Sequence, residues 1–128
     1  MKKIIYDNLI TALEGGNYKR ELRYALRKEG RYSLLGVLCD LYSKETGVEW
    51  VEDSEKPGIY SILGEYDELP EEIQAWAGVT TPDPVMNYKY PDFTFNEINV
   101  TTINHDVVEH PWKIIVILLK DIRHDTIT

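Results

Sequence analysis

The sequence predicts an α+β fold: a helix-rich single domain over residues 1–128 with a small antiparallel β-sheet. Three observations carry that expectation. Apolar residues recur at helical spacing in four separate stretches. Two shorter runs rich in β-branched and aromatic residues are bounded by Gly or Pro. No repeat, low-complexity tract or linker-like composition divides the chain. Hydrophobic residues make up 43% and charged residues 28%, enough apolar surface to build a core and too much for disorder.

The elements follow in order. Ile4, Ile5, Leu9, Ala12 and Leu13 share a helical stripe that Gly15 and Gly16 end, which predicts a helix over 3–14. Residues 17–31 are basic, and Leu22 and Leu26, four apart, fit either a short helix or an irregular loop with two anchors. Leu34, Leu35, Leu38, Leu41 and Tyr42 then fall on one face of a helix over 33–46, with Ser33 as N-cap and Gly47 as the stop. Gly36 inside that helix costs about 1 kcal/mol relative to Ala, so it points to a close approach by another backbone. Residues 49–57 read as an acidic loop and 59–63 as a short strand. A compact helix at 70–77 has Pro70 in its first turn, Glu71 and Glu72 at the positive end of the dipole, and Gly78 just past its end. Its buried face is Leu69, Ile73, Trp76 and Ala77. Residues 85–90 suit a strand, and Phe93 to Ile98 suit the start of another short element. The apolar segment 111–122 has strand-like β-branching but helical length, with Pro111 at its start and a basic last turn; these favour a largely buried helix.

Composition narrows the function classes. A single cysteine, Cys39, excludes a disulfide within the chain and a four-cysteine zinc site, and its leucine neighbours predict a buried, inert thiol. The start of the chain has no secretory signal pattern, and the longest apolar run, 114–119, is far too short to span a membrane, so a cytoplasmic protein without a membrane partner is expected. Net charge is −8, unevenly spread. Residues 1–31 carry eight Lys/Arg against four Asp/Glu, and the remainder six against eighteen. Such an acidic chain is a poor general binder of nucleic acid, although a local basic patch can still hold an anion.

That patch is the stretch from Tyr18 to Tyr32, where Lys19, Arg20, Arg23, Arg27, Lys28 and Arg31 alternate with Tyr18, Tyr24 and Tyr32. Guanidinium groups fork phosphates and tyrosines stack on bases, so the candidate ligand-binding residues are Tyr18, Lys19, Arg20, Arg23, Tyr24 and Arg27. If 20–31 is helical, Arg20, Arg23 and Arg27 share a face. The plain alternative is a solvated surface whose charges pair with the acidic remainder of the molecule, within one chain or in a homo-oligomer. Tyr88 and Tyr90, flanking Lys89, offer a second stacking surface.

Two other constellations stand in the sequence. His105, Glu109 and His110 sit at spacings that suggest a metal-dependent hydrolase, but the pattern is one residue longer than an inverted zinc-peptidase motif and Pro111 disfavours helical geometry at His110. A polar loop explains it as well. The acidic span from Glu49 to Glu72 permits a DNA-mimic inhibitor, at an unimpressive charge density. No phosphate-cradling glycine loop, serine elbow or activated cysteine is present, so no catalytic residue, metal or cofactor is assigned.

Gly16-Asn17-Tyr18, the block Leu35-Gly-Val-Leu-Cys-Asp-Leu-Tyr42 and the block Leu69-Pro-Glu-Glu-Ile73 with Trp76-Ala-Gly78 together resemble a family of small bacteriophage and bacterial proteins. The family pattern is G-x-Y, then C-C-L-G-V-L-C-D-L-Y, then L-P-x-E-V-x-x-W-A-G and a Leu-Asn-Asp turn. Here Arg20 replaces a glutamine, Ser33 and Leu34 replace the paired cysteines, and Ile98-Asn99-Val100 stands at best where that turn falls. The resemblance implies a viral source and a helix-rich fold, and carries no catalytic residue. Residues and resemblance together lead to the expectation of a non-enzymatic binding protein. Its partner would be a host protein or a small anionic, nucleotide-like ligand, in the host cytoplasm and against a host defence.

Overall fold

The computed structural model describes residues 1–21, 25–83, 85–90, 93–99 and 112–127, with the backbone alone for 85–90, 93–99 and 113–114. The elements run α1 (Lys3–Glu14), β1 (Lys19–Arg20), β2 (Arg27–Lys28), β3 (Arg31–Tyr32), α2 (Leu34–Thr46), β4 (Val51–Glu52), β5 (Ile59–Ser61), α3 (Glu71–Ala77), β6 (Val85–Tyr90), β7 (Phe93–Asn99) and α4 (Lys113–Asp121), with a 3-10 turn at His124–Thr126. This is the helix-rich α+β domain the periodicity predicts.

The helices form where apolar stripes can be buried together. α1 turns Ile5, Leu9, Ile10 and Leu13 inward, while Ile4 lies outside the stripe and is 64% exposed. In α2 the inward face is wider than the leucine spacing suggests, because Val37, Cys39 and Asp40 are buried as well as Leu34, Leu35 and Leu38. Ser33 caps it, its Oγ accepting from the Gly36 N–H at 3.0 Å, and Gly47 ends it at φ +80°, a left-handed conformation that costs a residue with a Cβ dearly. α4 contributes Ile115, Val116 and Leu119 to the same core, which settles the ambiguous C-terminal segment as a helix. Tyr6 on α1 reaches across, its hydroxyl directed at the carbonyls of Leu119 and Ile122, so that the end of α4 is tied to α1. Where α1, α2 and α4 meet, Met1, Leu9, Leu34, Leu35, Leu38, Leu119 and Ile127 close around a void of only about 10 Å³, too small for a ligand at that junction.

The sheet differs from the expectation in two ways. The described residues of 17–31 supply β1, β2 and the start of β3 to a five-stranded sheet of order β1-β3-β2-β5-β4. Its β1–β3 pair is parallel and the rest antiparallel. The strands at 59–61 and 85–90, expected in one sheet, lie in two: β6 pairs with β7 as a separate antiparallel hairpin. Two-residue strands carry too little alternation to be read from a sequence, and the tight Glu29-Gly30 turn between β2 and β3, with Glu29 at φ +55°, is not a standard hairpin signal.

Gly36 joins the two layers. A Cβ placed on it would lie 1.8 Å from the carbonyl oxygen of Leu26, the residue just before β2, so α2 crosses the sheet with backbone against backbone. That same carbonyl accepts from the Ser33 N–H at 3.0 Å, and the Leu26 side chain is fully buried. The close approach expected from a glycine inside a helix therefore exists, and its partner is the strand that carries Arg27.

A candidate anion-binding cradle around Arg27

The register of the sheet sorts the basic stretch into two transverse rows. Arg20, Tyr32, Arg27, Tyr60 and Glu52 are successive cross-strand partners, and Lys19, Arg31, Lys28 and Ile59 form the neighbouring row. Adjacent residues of a strand point to opposite faces, so the cations are divided between the two sides rather than gathered on one. Arg20 and Arg27, expected on one helical face, lie instead in strands, Arg20 in β1 and Arg27 in β2.

The predicted ligand residues accordingly have different fates. Lys19 is exposed in β1. Tyr18 is buried, 8% exposed, and its hydroxyl donates to Asp40 Oδ2 at 2.6 Å while accepting from Lys44 Nζ at 3.0 Å. Its carbonyl accepts from the Trp112 indole at 2.7 Å. Arg20 is buried, 5% exposed, with its guanidinium carbon 5.9 Å from the Trp112 ring, and burial lowers its pKa. Tyr18 and Arg20 thus lie in the interior, with little of either residue open to solvent. Arg23 and Tyr24 lie outside the described residues, as do His105, Glu109 and His110. The side chains of Tyr88 and Tyr90 are likewise outside the description.

Arg27 is the predicted residue that sits in a formed site. Its guanidinium carbon is 4.0 Å from the centroid of the Tyr60 ring, 5.3 Å from Tyr32 and 5.7 Å from Trp50. All three rings are half-buried, and Tyr32 and Trp50 meet edge to face at 6.1 Å. Three cation–π contacts fix the plane of the guanidinium. Its Nε–H donates to the Glu29 carbonyl at 2.8 Å, which fixes the rotation of the side chain. Among the described residues neither Nη atom has a hydrogen bond and no carboxylate forms an ion pair with Arg27. The result is an oriented fork with its outer edge open.

Behind the rings stands Asp40. Its Oδ1 accepts from the Trp50 indole at 3.0 Å and its Oδ2 from Tyr18, and Lys44 approaches Oδ2 at 3.3 Å from an exposed position one turn along α2. Tyr18 also stacks edge-on against Tyr32 at 5.1 Å, so one buried carboxylate orients, directly or through Tyr18, two walls of the cradle. Burial, and then the bond to Asp40, push the Tyr18 phenol up to about 12; burial raises Tyr32 as well. The bond to Tyr18 leads the causes that raise Lys44. These groups hold their protons across the physiological range, and Asp40 has hydrogen bonds on both oxygens. That suits an organising role rather than proton transfer.

Tyr32, Trp50, Tyr60, Asp40 and Lys44 are site residues that the candidate list lacks. Asp40 left one trace, a lone carboxylate in an otherwise apolar helix run. The tyrosines and Trp50 could be placed only once the strand register was known. Cys39, fully buried beside Asp40, has its thiol pushed far up by burial and offers no nucleophile. No three His, Cys, Asp or Glu side chains among the described residues are grouped to hold a metal ion, and no described helix is long and apolar enough to cross a membrane.

No curated protein and no solved structure matches the chain. Residues 1–121 match the family described as a domain of unknown function, DUF8296, and with nearly its whole length aligned the chain belongs to that family.

Proposed function

We propose that the protein is a non-enzymatic binding module that takes up an anionic group at the Arg27 cradle. The observation that carries this reading is the Arg27 guanidinium itself, held on three aromatic rings and one carbonyl with both Nη atoms unengaged among the described residues. Orienting a flexible arginine in the absence of ligand removes much of the ordering entropy that binding would otherwise incur. A binding role rather than a catalytic one is supported by the chemistry nearby. The Tyr18 and Asp40 groups are hydrogen-bonded to each other, and the one thiol is buried. On the opposite face, Lys19, Arg31 and Lys28 stand side by side without a described ion pair, and can draw an anionic partner towards this end of the molecule. A viral source, a cytoplasmic host target and a role against host defence follow from the sequence resemblance alone and belong to the same proposal.

Trp50 forms a wall of the cradle, so intrinsic tryptophan fluorescence reports occupancy. Titration with a panel of small carboxylates, inorganic phosphate and nucleotides should give a saturable change for at least one anion, falling with added salt and absent in Arg27→Gln. A flat response to every anion at low ionic strength would refute the reading.

A further inference from the structure

Resting on that reading of the site, we infer that the group Arg27 takes is a carboxylate, flat and singly charged, rather than a phosphate. Shape is the first argument. The Tyr60 ring centroid lies 4.0 Å from the guanidinium carbon, with those of Tyr32 and Trp50 at 5.3 and 5.7 Å. The ligand must therefore approach in the guanidinium plane, along the Nη edge, because Nε is already bonded to the Glu29 carbonyl. A carboxylate is planar and meets that edge with two parallel N–H···O bonds, keeping its third substituent in the same plane. A phosphate is tetrahedral and projects two further oxygens out of that plane, towards the faces of the flanking rings.

Charge is the second argument. Asp40 sits directly behind Trp50, bonded to its indole at 3.0 Å, and Glu52 is the cross-strand partner of Tyr60. Lys44 offsets Asp40, pairing with it at 3.3 Å. Among the described residues Arg27 is therefore the cation left to face the ligand, and Glu52, in the same cross-strand row, repels additional negative charge. A monoanion is neutralised by Arg27 alone. A phosphate monoester, carrying about −1.5 to −2 charge at pH 7, is not. The apolar ring edges around the slot further favour an anion attached to an apolar body.

The test uses the intact protein and tryptophan fluorescence. Benzoate should bind, benzamide should not, and phenyl phosphate at pH 7.5 should bind at least roughly fivefold more weakly than benzoate. Arg27→Lys, which keeps the charge and loses the fork, should weaken benzoate about tenfold or more. A measurement on the wild-type chain avoids any folding defect of a variant. Phenyl phosphate loses its second charge near pH 6, so it should bind more tightly at pH 5 than at pH 7.5. A peptide with a free C-terminal carboxylate is compared with its C-terminal amide. Binding tighter than benzoate and lost on amidation identifies a chain terminus as the source, whereas equal or weaker binding identifies a free small carboxylate. Phenyl phosphate binding more tightly than benzoate at pH 7.5, through Arg27, would overturn the carboxylate assignment while leaving the anion site standing. No Arg27-dependent response to either would remove both.

Discussion

Replacing Gly36 with alanine opposes two physical effects, and the structure says which wins. Helix propensity favours alanine by about 1 kcal/mol. Against it, the new Cβ would lie 1.8 Å from the Leu26 oxygen and 2.7 Å from its carbonyl carbon, where carbon–oxygen contacts settle at about 3.3 Å or more. The two backbones must part by about 1.5 Å, which no side-chain rotation can absorb. Parting costs about 1–3 kcal/mol as overpacking. It also stretches the Ser33 N–H···O bond to Leu26, at about 1 kcal/mol. The net is a loss of about 1–3 kcal/mol, or roughly 3–15 °C in Tm for a domain of this size. Urea unfolding followed by circular dichroism, with a thermal melt alongside, measures it. Because the cradle strand is the displaced partner, ligand-induced fluorescence changes should weaken in the same variant. A Tm unchanged or raised would show that α2 and β2 do not touch through their backbones, and would refute the layer arrangement on which the site depends.

Other expectations concern the residues behind the cradle. Asp40→Ala removes the acceptor for both Tyr18 and Trp50 and should cost about 2–3 kcal/mol, with a shift in tryptophan emission; a change under 0.5 kcal/mol in urea unfolding would count against the network. Tyr18 has a folded pKa of about 12 against about 10 when unfolded, so the stabilisation it represents is whole below pH 10 and is lost as pH rises towards 12. The urea midpoint of the wild type should therefore fall more steeply between pH 10 and 12 than that of Tyr18→Phe; parallel slopes would show that the phenol is not held as described. Cys39, buried and with its thiol pushed up, should resist a thiol-specific reagent until urea unfolds the chain; prompt labelling of the folded protein would contradict the burial of that face of α2.

Much of the fold was legible because helices announce themselves over many residues. The periodicity of α1, α2 and α3 placed each to within about a residue, and Ser33, Gly47 and Gly78 occupy the capping positions their chemistry suggests. Gly36 foretold a close approach without naming its partner. The sheet was poorly legible. A two-residue strand such as Arg27–Lys28 has no period to detect, and its membership comes from partners far along the chain, Tyr60 above all. The site shows the same division. Arginines mixed with tyrosines suggested an anion site, and Arg27 does lie against aromatic rings, but those rings come from β3, β5 and the residue before β4. Tyr18 and Arg20 went inside because Asp40 and Trp112 provide buried partners for polar ends that a sequence reading assigns to solvent.

Among the described residues, Arg27 is oriented by its own chain and left open at its Nη edge. A crystal structure of the protein grown with benzoate tests it most directly. The carboxylate should lie in the guanidinium plane with both oxygens about 2.7–2.9 Å from the Nη atoms, while Tyr60 keeps its stacking. Arg27 turned away from the rings and paired with a carboxylate of its own chain, with the cradle empty, would contradict it.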